Sequence, residues 1–440
     1  MADCDLPIND FEPQTIATRL ERVRERTVSL IAGLDWEVLT QQQISILSPM
    51  VWDLGHIANF EEAWLCQEVG GAVELHVDYA HLFDAVIHPR PTRKDLPLPV
   101  AGRLMEYMAE VRMRALDILD RLDSTAASEL WSNGFVYELV AEHEEQHQET
   151  LLQAMQILED PLYAPAQRRR LPPGRAMNSE MIEIPGGRCR IGADGTGFAY
   201  DNEMKAHEVE VGDFLIDSAP VACGVYRDFV DDGGYARPEL WSPQGWQWCR
   251  ETGALAPANW QRTASGWVVR WMNQREPLRS DLPVTHVCYW EAEAFSRWAG
   301  KRLPTEIEWE KAALWDPIEG AARLFPWGNT PPDRSRANLD QLSFAPAPIG
   351  AYPEGRSAYG VEQAVGDVWE WTSSDFMPYP GFTAYPYKDY SEIFFDGSYK
   401  VLRGGSWATR PGVARGTFRN WDFPMRRQIF SGFRCAKDPF

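Results

Sequence analysis

The 440-residue chain has no stretch approaching about 18 consecutive apolar residues, so no membrane-crossing helix is expected. It is short of positive charge: 43 Lys and Arg stand against 64 Asp and Glu, a net charge of −21. A nucleic-acid or anionic-membrane binder needs clustered positive charge to neutralise phosphates, and this balance argues against one. Cysteine is sparse. Seven are scattered at positions 4, 66, 189, 223, 249, 288 and 435, an odd number with no CxxC pair. That excludes a disulfide scaffold and fits reduced thiols in a cytoplasmic protein. The opening MADCDLPINDFEPQ lacks a basic segment followed by an apolar run, which argues against secretion. Only eight His occur, so their placement matters. Tryptophan, in contrast, is abundant: most of the 19 lie beyond residue 240, which points to two differently built halves.

The first half reads helical. Residues 10–34 carry Ile16, Leu20, Val23, Val28 and Ile31 at helical spacing. A second helix is expected to open at Ser48-Pro49, with Ser48 capping free N–H groups and Pro49 in the first turn, and to run through VWDLGHIANFEEAWL. A third spans 97–122 and a fourth 128–158. Four amphipathic helices, each burying one stripe, make a four-helix bundle. One long connection, 66–96, breaks the pattern of short loops, and loops of that length are commonly functional. A Pro- and Arg-rich stretch, 161–180, then marks a linker, placing the domains at 1–165 and 181–440 with the linker at 166–180. Beyond it short alternating strands are punctuated by Gly, Pro and Trp, with helices expected only at EAEAFSRWAG and TEIEWEKAAL. The second half is α+β.

On the fourth helix the inward row runs Val136, Val140, His143, His147, Leu151, Ala154, Leu158. Two imidazoles one turn apart on one face suit two ligands of one metal; a hydrogen-bonded core pair is the plainer reading. On the second helix His56 repeats the pattern, on a face shared with Trp52 and Phe60. Three neutral imidazoles leave coordination positions open, and Fe, Zn, Cu and Ni all accept them. The run His143-Glu144-Glu145-Gln146-His147 also satisfies the zinc-protease pattern H-E-x-x-H, but its continuation, QETLLQAMQILED, holds no Gly or His, and the best third ligand lies upstream at His56. In the long connection, His76, His81 and His88 have no periodic placement and read as solvated. Arg90 and Arg93, three apart and braced by prolines, form a plausible fork for a carboxylate.

The blocks MIEIPGGRCRIG, LPVTHVCYWEAEAFSRWAGKRLPTEIEWEKAAL, VEQAVGDVWEWTSSDF, VLRGGSWATRPG and SGFRCAK occur in order and resemble the formylglycine-generating-enzyme (sulfatase-modifying factor) family. This implies a C-type-lectin-like fold for the second half. The segments DLGHIANFEEAWL and AEHEEQHQE resemble a DinB-like bundle, known for three-histidine metal sites. Together the halves resemble the ergothioneine-biosynthesis iron(II)-dependent sulfoxide synthases. One departure is informative: after R-G-G-S-W the chain reads ATRPGVARGTFRNWDFPMRRQIF, without the catalytic cysteines of true formylglycine-generating enzymes.

The resemblance implies metal ligands His56, His143 and His147, an Fe(II) cofactor and O2 as co-substrate. It implies a reaction joining the sulfur of γ-glutamylcysteine to the imidazole C2 of Nα-trimethylhistidine (hercynine), giving a sulfoxide. Arg90 and Arg93 would bind the carboxylates of the thiol and Asp422 its ammonium, while Gln146, Asn420 and Trp421 would contact hercynine. A trimethylammonium has no N–H to donate, so an aromatic face such as Trp421 suits it. A tyrosine of the 379–390 stretch, Tyr387 first and Tyr385 second, would relay a proton. The competing expectations are an O2-independent DinB-like thiol transferase and a lectin-like binding protein with a structural metal.

Overall fold

The computed structural model describes residues 13–122, 130–158, 170–175 and 181–439. They fall into two compact units that divide between Ala164 and Pro165. Much of the expected linker, and the expected starts of the first and fourth helices, lie outside the described residues. Among the described residues no helix is long and apolar enough to cross a membrane.

The first unit is built on four long helices: α1 (Pro13–Ile31), α3 (Met50–Glu61), α5 (Ala101–Arg121) and α6 (Phe135–Ile157), with short α2 (Trp36–Thr40) and α4 (Val77–Leu82) between them. Helix α3 continues as a π-helical stretch, Glu62–Val69. Helix α6 begins at Phe135, later than the periodicity suggests, because Asn133 and Gly134 both adopt positive φ and stop the pattern from extending back. The cap expected of Ser48 is absent. Pro49 occupies the cap position without a side-chain bond, and the Ser48 hydroxyl instead accepts from Arg93 Nη1 at 2.7 Å. The long connection is ordered by α4 and by a 3₁₀ segment, Arg90–Asp95.

The apolar stripes meet in the core, but the bundle also buries charge. Arg19 reaches Glu145 at 2.6 Å and Glu138 at 2.8 Å, all three nearly inaccessible. Arg24 bonds Glu61 at 2.7 Å and Glu144 at 2.9 Å, and Arg112 bonds the same two glutamates. Thr27 donates to Glu144 at 2.6 Å. Burial alone would push the Glu144 carboxyl up; Arg24 and Arg112 outweigh it and hold the group below its usual range, hence ionised.

The described residues of the second unit carry fourteen strands and four α-helices. Strands β1 (Met181–Ile184), β4 (Phe214–Asp217) and β14 (Ala436–Lys437) form one antiparallel sheet, while β2 (Gly187–Ile191) and β3 (His207–Val211) form a hairpin. A meander, β5 (Trp260–Thr263), β6 (Gly266–Trp271) and β7 (Gln274–Pro277), and a short pair, β8 (Trp315–Asp316) and β9 (Ala321–Ala322), follow. The four-stranded sheet has the order β12 (Asn420–Asp422), β11 (Lys400–Arg403), β10 (Trp369–Asp375), β13 (Ser431–Gly432), which leaves β12 at its edge. Helices α9 (Tyr289–Trp298) and α10 (Glu306–Leu314) lie where the sequence places them, the latter opened by a Thr305/Glu308 capping box. Two helices were not anticipated: α7 (Cys223–Asp231) and α8 (Pro243–Thr252). Helix α8 bears a legible signature, with Ser242 accepting from Gly245 N–H, Pro243 at the first turn and left-handed Gly253 after the end.

The R-G-G-S-W block is fold-forming. Arg403 is inaccessible and paired with Glu306 at 2.8 Å and Glu310 at 2.6 Å. Gly404 has φ +93°, and a Cβ there would lie 2.3 Å from the Ala364 carbonyl. Trp407 is fully buried.

Removing one member of a buried ion pair strands its partner. Arg19→Met is expected to destabilise the helical unit by about 3–5 kcal/mol, read from the helical signal in thermal or denaturant unfolding. A loss below about 1 kcal/mol contradicts a structural role for that cluster.

Candidate metal centre

His56 lies on α3, and His143 and His147 one turn apart on α6. One ligand atom of each falls within 4.8 Å of the others, and the Nε2 atoms of His56 and His143 are 3.2 Å apart. Each ring is braced. His56 Nδ1 is 2.7 Å from the Phe83 carbonyl, which makes Nδ1 the donor and leaves Nε2 a lone pair. His147 Nδ1 lies 3.3 Å from the buried Asp53 carboxylate. Trp52 stacks on His56 with centroids 4.8 Å apart, and Phe60 stacks on His143 at 3.8 Å. A metal ligand whose second nitrogen is held by a carbonyl or carboxylate has its tautomer and ring plane set in advance.

Burial, then the neighbouring His147, lowers His56 to about 3; burial, then the other two rings, takes His143 well below its usual value. Both rings are neutral near pH 7, with lone pairs to offer. All three histidines are half-buried. Three nitrogen donors, with no fourth protein ligand grouped with them among the described residues, fit a cation that keeps vacant positions. Glu144 is not available as a protease-type base, since Arg24, Arg112 and Thr27 engage its carboxylate.

The expected carboxylate fork has unequal members. Arg90 is exposed. Arg93 is buried, donates to the His88 carbonyl at 2.8 Å and to Ser48 at 2.7 Å, and lies 3.4 Å above the Trp52 ring. Burial lowers it to about 10, so it stays charged. His81 and His88, expected to be merely solvated, lie 3.4 Å apart, Nδ1 to Nε2. Gln146 is half-buried between His143 and His147 on α6.

In the second unit, Asn420, Trp421 and Asp422 form edge strand β12 and are half-buried. Trp421 stacks on Phe376 at 4.2 Å and meets the edge of Tyr390 at 5.6 Å. Asp422 Oδ1 pairs with Arg426 at 3.1 Å, while its Oδ2 has a 3.4 Å contact from Gln428. Asn420 Oδ1 accepts from the Trp421 N–H at 2.9 Å. Tyr385 donates its backbone N–H to Asp201 at 3.3 Å. Burial, reinforced by Asp201 and Asp389, pushes the Tyr387 phenol up, so its proton is retained. The six described cysteines are all buried, and burial raises every thiol, Cys189 and Cys249 to about 11 and Cys66 to about 12.

Asp53, the Phe83 carbonyl and the Arg24–Arg112–Glu61–Glu144 cluster escaped the sequence reading. Only Asp53, three residues before His56, carried a signal in the sequence.

The fold and the histidine cluster define a DinB-type helical domain joined to a sulfatase-modifying-factor-like domain. The DinB superfamily matches residues 19–151 and the sulfatase-modifying factor enzyme 1-like domain residues 168–439. The hercynine oxygenase of Mycolicibacterium smegmatis is 46% identical over 97% of this chain and 99% of its own, and that of Mycobacterium tuberculosis is 44% identical over 97% and 99%. The formylglycine-generating enzyme of Streptomyces coelicolor is 32% identical over 58% of this chain and 88% of its own. The chain belongs to the hercynine oxygenase family.

The neutral rings give a pH signature. Folded values below the unfolded value of about 6.5 mean that, as pH falls through 6.5, the unfolded chain takes up protons that the folded rings refuse. Metal-free protein should therefore lose melting temperature from about pH 7.5 to pH 5.5, and less so in His143→Leu. Equal losses in the two contradict neutral imidazoles in the folded protein.

Proposed function

We propose that this chain is an iron(II)- and O2-dependent oxidoreductase that joins γ-glutamylcysteine to C2 of hercynine and leaves the sulfur as a sulfoxide. The thiol S–H and the imidazole C–H are lost, a C–S bond forms, one oxygen atom stays on sulfur and the other leaves as water. The observation that carries this reading is the three-imidazole cluster in a chain that matches hercynine oxygenases along nearly its whole length. Iron(II), when bound, supplies vacant coordination positions and the redox capacity for O2 chemistry.

The protein's own groups do the rest. His56, His143 and His147 hold the metal, the first two as neutral donors. Arg90 and Arg93 bind the carboxylates of the thiol, a planar guanidinium being suited to bidentate contact with a carboxylate. Asp422 takes the thiol's ammonium through Oδ2, and Gln146, Asn420 and Trp421 contact hercynine, whose trimethylammonium meets the indole face. Tyr387 keeps its phenolic proton and delivers it during the reaction, with Tyr385 as the second candidate.

Two measurements test this. Anaerobically purified protein should carry iron by elemental analysis, and O2 uptake should require hercynine and γ-glutamylcysteine together, with cysteine and glutathione weaker. Turnover without O2 would indicate a thiol transferase instead, and metal without turnover a binding protein. Tyr387→Phe should lower sulfoxide yield while thiol oxidation to disulfide continues; sulfoxide formed at the wild-type rate removes Tyr387 from the scheme.

A further inference from the structure

The stretch that carries the candidate tyrosines, residues 379–390, belongs to no helix or strand. A segment without a ladder of its own must find partners elsewhere for its polar groups. One buried 3₁₀ turn, Asp201–Glu203, supplies several of them. Asp201 Oδ2 accepts from the Tyr385 N–H at 3.3 Å, its Oδ1 accepts from the Ser391 hydroxyl, and Asn202 Nδ2 donates to that same hydroxyl at 3.0 Å. Both ends of the segment 385–391 are thus fastened to one carboxylate, and Ser391 is fully buried. Tyr200, just before the turn, stacks on Tyr390 at 4.1 Å; Tyr390 in turn meets Tyr387 at 6.4 Å and Trp421 at 5.6 Å. The turn also holds the chain that enters β12. The Asn202 carbonyl accepts from Arg419 Nη1 at 2.8 Å, and Glu203 pairs with Arg415 at 2.6 Å and accepts from Thr417 at 2.7 Å.

We infer that Asp201 is a positioning residue for the reaction: by fastening both ends of the segment 385–391 it holds Tyr385, Tyr387 and Tyr390 in one arrangement against the Trp421 indole, and it acts through them rather than on a substrate. This rests on the reading above, in which a tyrosine of this stretch relays a proton and Trp421 meets hercynine, and goes beyond it by naming the group that fixes them. Groups that do chemistry from a loop depend on a supporting shell that locks them before the substrate arrives. Misplacing a reacting group by about 1 Å costs about a hundredfold in rate.

The test uses the full-length, iron-loaded enzyme. Asp201→Ala should lower kcat for sulfoxide formation about tenfold or more, leave the KM for γ-glutamylcysteine near wild type, and raise the ratio of disulfide to sulfoxide as Tyr387→Phe does. Without substrates, deuterium exchange over residues 383–392 should quicken while that of α3 and α6 is unchanged. Asp201→Asn, which keeps an oxygen for the Ser391 hydroxyl, should fall between wild type and Asp201→Ala. Asp201→Ala combined with Ser391→Ala should cost less than the sum of the two, because they share one bond. A folded Asp201→Ala enzyme with wild-type kcat and product ratio overturns the inference, and an altered ratio in Tyr387→Phe or Tyr385→Phe then leaves the tyrosine reading standing. Wild-type ratios in all three variants, or a wild-type enzyme that makes no sulfoxide, overturn both. Where Asp201→Ala does not fold, Ser391→Ala decides. It opens the same clasp from the tyrosine side, so a smaller shift in the same direction supports the inference, and unchanged exchange and product ratio overturn it.

Discussion

The ion pairs that Arg24 and Arg112 make with Glu61 and Glu144 are the constraint on which the placing of the three histidines depends. Glu144 follows His143 directly and is turned about 100° from it around α6. Once its carboxylate is engaged from two sides by guanidiniums and by Thr27, the rotation of α6 is set, and with it the direction in which His143 and His147 project. Glu61 does the same for α3, five residues after His56. Buried pairs of this sort add little net stability over an apolar core, but a missing partner is costly, so they penalise every alternative helix rotation.

That cluster also shows where sequence reading stops. Apolar spacing located α1, α3, α5 and α6 and set the three histidines on inward faces, because periodicity reports which side of a helix leaves water. It could not report that Glu61, Glu138, Glu144 and Glu145 are buried as well, since a glutamate is scored as solvated until its arginine is found, and Arg19, Arg24 and Arg112 come from other helices. Ser48 misled for a related reason: Ser before Pro reads as a cap, yet a distant guanidinium takes the hydroxyl. Backbone carbonyls such as Phe83 leave no mark in a sequence, although this one fixes the tautomer of His56.

In the second unit the legible blocks were those that build the fold. Arg403, Gly404 and Trp407 of R-G-G-S-W, and Arg434 of S-G-F-R-C paired with Glu370 at 2.6 Å, are core features. A chain can keep them while losing the cysteine chemistry with which that fold is associated elsewhere, and here the described thiols are sealed in and raised in pKa. Strand β12 is left at a sheet edge with an indole and two polar side chains only half covered.

The most direct measurement is anomalous X-ray diffraction at the iron edge from crystals grown anaerobically with iron(II). The account requires a single strong peak at bonding distance from one nitrogen each of His56, His143 and His147, with Nδ1 of His56 still on the Phe83 carbonyl. Iron bound at any other place, or three rings turned away from one another around no metal, would contradict it.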